Sequence, residues 1–396
     1  MHHSIPRLLP PTRSAALERL AEFVPRAGSD YAARRNDDMP GHPYVSGLSP
    51  YLRHRLVTEA EVIAAVTQAH PKGAEAFLAE VWWRTYWKGW LELRPGVWTG
   101  YRRGVTSALN RLATESGLRA TWEDACTGDT GIDGFDHWAR DLVATGYLHN
   151  HARMWFASIW IFTLRLPWEL GADFFMRHLL DGDQASNTLS WRWVAGLHTP
   201  GKTYLATAEN IARHTGGRYS PKGLATIAPP LPMQPHPTPR AAPQGPAWDR
   251  AARSLLLLTE EDLCPDFLLA DGLVPRSVAA LPAPRKRSTL DVSAQMAAFA
   301  SGAIADTLTR LGQPHAPVFG PGQLTALVDH IVDTGTEQVV TAHAPVGPVA
   351  SLLRDLGGLL EARSIPLIQP LRRHDAESWP HATHGFFRFR EAVMGR

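Results

Sequence analysis

Cysteine is nearly absent from this chain: Cys126 and Cys264 are the only two among 396 residues. A pair so widely spaced excludes a disulfide framework, a zinc ribbon and an iron–sulfur cluster held by four cysteines. Free thiols also suit a reducing compartment, so the expected location is cytoplasmic. Long apolar runs are equally scarce. Residues 1–30 carry no signal-like apolar core, and nothing approaches the roughly 20 apolar residues of a membrane span. The most apolar stretch, Met154–Leu166, is interrupted by Arg165 and stopped by Pro167, and reads as a buried helix. Charge of either sign is not in excess. A net charge of +2 decides nothing about a polyanionic partner, because a phosphate-binding groove needs local charge. With 44% hydrophobic and 20% charged residues, the composition is that of a globular protein.

What is present suggests two units. Eight prolines lie between Pro229 and Pro246 with few large apolar residues among them, a pattern that suits an extended linker at 226–248. Upstream, apolar residues recur at three- and four-residue spacing over Glu59–Gln68, Ala74–Leu93, Gly134–Thr145, His149–Leu166 and Trp168–Leu180, which predicts an all-helical region. Downstream, the short apolar runs 254–259, 337–342 and 365–370 read as buried strands, and Ser293–Leu311, Gly322–Asp333 and Gly347–Ala362 as helices. Such alternation predicts a parallel sheet with crossover helices. The fold expected is therefore mainly α, with a smaller α/β domain at 249–396. The basic trio Arg285, Lys286 and Arg287 reads as a solvated loop.

Twelve of the fourteen tryptophans fall between Trp82 and Trp193, a density that core packing alone rarely demands. His149, Asn150 and His151 spell the HNH of some metal-dependent nucleases, but on one helix adjacent residues point in different directions. The DGD at 181–183 fails as a calcium loop, since the later positions carry Ala185, Ser186 and Arg192. Gly320 and Gly322 fit a turn and helix start better than a phosphate cradle, because Thr325 replaces the third glycine. Cys126 has no supporting motif for a nucleophile. No metal site is expected.

Taken together, YVSGLSPYL at 44–52, FLAEVWWRTYW at 77–87, YLHNHARM at 147–154 and DGDQASNTLSWRW at 181–193 resemble, in order and spacing, the flavin-binding helical domain of the DNA photolyase and cryptochrome family. The resemblance covers residues 13–225 and implies one FAD per chain. It places Tyr31, Ser46, Leu48, Ser49, Phe77, Arg84, Asn150, Arg153, Asp181, Asp183, Ser186 and Asn187 on the cofactor, with Asp181 paired to Arg153 and Asn187 beside the flavin N5. An amide there hydrogen-bonds without imposing a charge. On the lesion side it places the catalytic set Glu80, Trp83, Asn150, Met154 and Trp193. Trp191 and then Trp168 become the electron-transfer stations. A third tryptophan, expected within 105–120, is missing, which leaves Trp122, Trp138, Trp155 and Trp160 as candidate exits.

The activity implied is light-driven repair of cyclobutane pyrimidine dimers in single- or double-stranded DNA, a carbon–carbon lyase reaction. Family members acting on the (6-4) photoproduct carry histidines where this chain has Asn150 and Met154. A blue-light receptor that signals through flavin photoreduction is the alternative, and a DNA-binding module with a vestigial flavin a third reading. The protein is expected to be a monomer without membrane association. The family's usual N-terminal antenna domain is expected to be absent, with WPHATHGFFRF at 379–389 resembling a shorter bacterial branch. The role of the α/β region, and a second antenna chromophore, stay open.

Overall fold

The computed structural model describes residues 9–232 and 235–394; the remainder of the expected linker and C-terminal boundary, 233–234 and 395–396, lies outside them. The helical region runs α1 (Arg13–Phe23), α2 (Ser29–Arg34), α3 (Ser49–Arg53), α4 (Glu59–Ala69), α5 (Glu75–Glu92), α6 (Pro95–Thr114), α7 (Ser116–Thr127), α8 (Phe135–Thr145), α9 (Asn150–Ser158), α10 (Trp168–His178), α11 (Gln184–Val194) and α12 (Ala208–His214). There follow β1 (Ser254–Leu258), α13 (Asp266–Ala270), β2 (Pro275–Ala280), α14 (Ala294–Arg310), α15 (Leu324–Asp333), β3 (Gln338–Val340), α16 (Pro348–Glu361), β4 (Leu367–Ile368), α17 (Arg373–Ser378) and α18 (Phe386–Met394). The architecture is thus mainly helical with one small parallel sheet.

Local sequence explains several boundaries. Thr58 and Glu61 form a reciprocal capping box at the start of α4, and Asp183 accepts the Ser186 amide at 2.8 Å to begin α11. Gly146 closes α8 in a left-handed conformation, φ 70°, where a side chain would strain the backbone. The stretch 149–166 is less uniform than its periodicity predicts: α9 widens into a π-helical turn at Ile159–Thr163. Such widened turns often mark functional sites.

The four-stranded sheet has the order β2-β1-β3-β4 and every pairing is parallel. Strand β2 is absent from the sequence reading because PRSVAA opens with a proline and a charge and lacks the apolar density of its neighbours. Strand β1 shows why its sequence is a run of leucines. Leu255 and Leu257 enter a core shared with α15 and α16, while Leu256 and Leu258 enter a second core shared with α1, α4 and the start of α5. Alternate residues face opposite sides, and both sides are buried.

One apolar core therefore crosses the Pro-rich segment, joining the first helices to the sheet. A larger, tryptophan-rich core holds α5 to α12 together and takes in Phe386 and Phe389 of α18. Arg287 corrects the reading of the basic trio: it is 1% exposed and lies under the helical region. No helix among the described residues is long and apolar enough to cross a membrane.

Candidate flavin cavity

A cavity of about 460 Å³ opens between α5, α9, α11 and the segment before α3. Its size falls within the roughly 300–1,000 Å³ of small-molecule and cofactor sites. Of the residues singled out from sequence, Tyr31, Ser46, Ser49, Phe77, Glu80, Trp83, Arg84, Asn150, Arg153 and Met154 line it, as do Asp181, Asp183, Ser186, Asn187, Trp191 and Trp193. Leu48 and Trp168 do not. The Leu48 side chain is fully buried in the core shared with the sheet, and only its backbone N–H turns back to the Ser46 hydroxyl, at 3.3 Å.

The wall carries an uneven charge pattern. Arg153 donates to Asp181 at 2.9 Å. Asp183 lies 3.6 Å from Arg84 and 3.7 Å from Lys88, a residue missed in the sequence reading. Burial by itself would raise the Asp183 carboxyl, but Lys88, Arg84 and Arg53 outweigh it and hold it well below its usual range. Burial, then Arg84, lowers Lys88. Several buried polar atoms on this wall have no hydrogen-bond partner: Asp181 Oδ1, Asp183 Oδ2, Ser186 Oγ, Arg84 Nη2 and Trp191 Nε1. Two of them, Arg84 Nη2 and Asp183 Oδ2, face each other at ion-pair distance; the residues that carry all five line one cavity, a polar wall that suits a ligand rich in donors and acceptors. Asn187 donates its amide to the Ala172 carbonyl at 2.8 Å, which fixes the side chain with its carbonyl oxygen uncommitted to that bond.

At the mouth, Arg35 donates to Glu80 at 2.6 Å. Forty-five positions separate them, and no pattern linked them beforehand. The recess raises the Glu80 carboxyl against the pull of Arg35. One face of Trp83 is covered by Phe386 of α18, ring centroids 3.8 Å apart and planes 9° from parallel. Any partner stacking on Trp83 therefore has only its other face. His149 caps α9 through the His151 amide, and His151 stacks on Trp155, so the two histidines of the HNH run are engaged in local packing.

Behind the cavity, Trp191 packs over Gly171, where an added Cβ would lie 2.3 Å from the indole. Its aromatic neighbours are Phe175 at 5.1 Å, Trp160 at 6.2 Å and Phe156 at 6.5 Å. Trp168 instead meets Tyr101 at 5.7 Å, and Tyr101 meets Trp98 at 5.2 Å, both on α6. The helix α6 lacked the expected tryptophan within 105–120, yet it presents these two rings one to two turns earlier.

Residues 77–219 match the family profile of the FAD-binding domain of DNA photolyase. The chain is 28% identical over 217 residues to the deoxyribodipyrimidine photo-lyase of Vibrio cholerae, covering 52% of this chain and 43% of the relative. It is 34% identical over 165 residues to that of Streptomyces griseus, covering 41% and 34%. Among solved structures, a bacterial class III photolyase from Agrobacterium tumefaciens aligns with a TM-score of 0.44 and 25% identity over 52% of this chain and 43% of that one. The chain thus spans less than half the length of these relatives. The profile match lies within the helical region, from α5 to just past α12. Over that segment the chain is similar to members of the DNA photolyase family.

Proposed function

We propose that this chain binds FAD in the cavity and repairs cyclobutane pyrimidine dimers in DNA with light. The observation that carries the reading is a single cavity whose wall gathers Arg84, Arg153, Asp181, Asp183, Ser186 and Asn187, all within the segment that matches the FAD-binding profile. Bound FAD would supply light-driven one-electron chemistry. Ser46 and Ser49, near the start of α3, would take its phosphates, while Arg84, Arg153, Asp181, Asp183, Ser186 and Asn187 hold the ring end. Arg84 and Lys88 give that end a positive surround suited to an electron-rich ring, and Asp183 limits its size.

At the mouth, Met154 and the open faces of Trp83 and Trp193 form an apolar rim for two bases extruded from a duplex. A dimer stacks poorly, so its extrusion is cheaper than for normal bases. Glu80 would turn from Arg35 to a base edge, and Asn150 would contact the same edge. The partner is damaged DNA and the location cytoplasmic. For electron supply, Trp191 and Trp168 are the inner stations, with Tyr101 and Trp98 continuing the aromatic file along α6.

The test compares dimer content after incubating the reduced protein with a dimer-containing oligonucleotide in light and in dark. Loss of dimers in light alone supports repair; equal content in both sinks it. A blue-light receptor is the second reading, favoured by one observation: Glu80 already has Arg35 as a partner. It expects flavin photoreduction with no dimer loss.

A further inference from the structure

In open parallel sheets, ligands occupy the crevice at the carboxyl ends of the strands where the strand order reverses. Here that point lies between β1 and β3, and the helical region fills it. Directly after β1, Glu261 takes both terminal nitrogens of Arg53 at 2.7 and 2.9 Å. Arg53 Nε in turn donates to the Gly182 carbonyl at 2.9 Å, between the two cavity carboxylates Asp181 and Asp183. Both Arg53 and Glu261 are 1% exposed. Arg287, from the same side, donates to the Leu179 carbonyl at 3.3 Å. Glu260 accepts the Ala283 amide at 2.9 Å and offers its carbonyl to His54 at 2.8 Å.

We infer that Glu261 is a positioning residue for the cofactor: by fixing Arg53 it holds the Gly182 carbonyl and so aims Asp181 and Asp183 into the cavity. The α/β region then acts as a brace for the flavin loop, its crevice filled by an arginine where another sheet would hold a ligand. The inference rests on the flavin reading above. The chemistry favours bracing because each of the three Arg53 nitrogens finds its partner within this one junction. A neutral Gln at 261 would leave a buried guanidinium without its counter-charge, and a buried ion stripped of its partner is strongly disfavoured.

The experiment titrates flavin-free protein with FAD and follows protein melting in parallel. Glu261→Gln is expected to weaken FAD binding roughly tenfold or more, the usual scale for loss of a supporting contact, and to lower the melting temperature. The double variant Arg53→Met with Glu261→Leu removes both charges, so its melting temperature should recover while FAD binding stays weak and the absorption fine structure of bound oxidised flavin stays blurred. Glu337→Gln, at the exposed pair with Arg253, should leave all three unchanged. A double variant that binds FAD like the parent overturns the inference. In the parent protein, FAD should slow hydrogen exchange at residues 183–187 and also at the Leu263 and Ala283 amides, which bond to His54 and Glu260. Protection at 183–187 alone overturns the brace; no FAD binding at all overturns the flavin reading instead.

Discussion

The cavity wall and the junction beneath it are both buried and charged, yet they treat their charges differently. At the junction, Glu261 and Asp262 have both carboxylate oxygens taken, by Arg53, Arg55, Arg372, Gln184 and a backbone amide. Two guanidinium nitrogens of Arg287, Arg55 Nε and Asp375 Oδ1 are exceptions to this saturation. On the cavity wall, Asp181, Ser186 and Trp191 each keep a polar atom without a hydrogen bond, and Arg84 and Asp183 meet only at the looser ion-pair distance of 3.6 Å. Burying a charge costs several kcal/mol unless it is paired, so the saturated region reads as structural and the unsaturated one as a site awaiting a partner.

The contrast breaks most visibly at Asp262. Asp262→Asn strips a counter-charge from Arg55 and Arg372 and should cost about 3–5 kcal/mol of stability. Urea unfolding should register that loss, while the folded fraction keeps its flavin absorption. Next comes Asp183→Asn, which retains a capping side chain for α11 but removes the charge facing Arg84 and Lys88. Purified protein should carry less than about a tenth of the parent's flavin, on the scale of a lost charge-assisted contact; full occupancy would show that the unpaired wall is not the binding surface.

A smaller effect is expected behind the cavity. Trp191→Phe should slow photoreduction of oxidised flavin sharply, and Trp98→Phe more mildly, with a thiol reductant present throughout. Transient absorption of tryptophan radicals provides the readout, and an unchanged decay in Trp98→Phe would remove α6 from the route.

The mildest effect concerns pH. Burial holds His149 at about 4 and His198 at about 3, against 6.5 when unfolded. Both stay neutral in the native state and take up protons on unfolding, so their contribution is full above about pH 6.5 and fades as pH falls towards 4. Melting temperature should decline between pH 7 and 4.5, and His149→Gln should flatten the slope. The depressed carboxylates Asp183 and Glu59 lose their contribution as pH falls through their unfolded values of 3.8 and 4.5, from the lower edge of that window downwards.

Periodicity was enough to read α4, α5, α8, α9, α10, α14, α15 and α16 and the leucine-rich strand, and the motif resemblance supplied the residues facing the cavity. Those features repeat at helical or strand spacing, or sit in short segments where chain order keeps them together. The resemblance carried by YLHNHARM and DGDQASNTLSWRW already put Arg153, Asp181 and Asn187 at one site, and all three line the cavity. The same sequence reading put Arg287 in solvent and missed Lys88, Arg35 and β2.

What the sequence alone determined is the helical class, the presence of a parallel sheet and the cavity-lining set. Only the tertiary structure decided which charges meet. Arg53 and Glu261 are 208 positions apart, Trp83 and Phe386 lie far apart in the chain, and Arg35 reaches Glu80 past α3 and α4. Ion pairs and ring stacks act over a few ångströms whatever the separation along the chain, so no local pattern encodes them, and packing the sheet against the first helices brings them together.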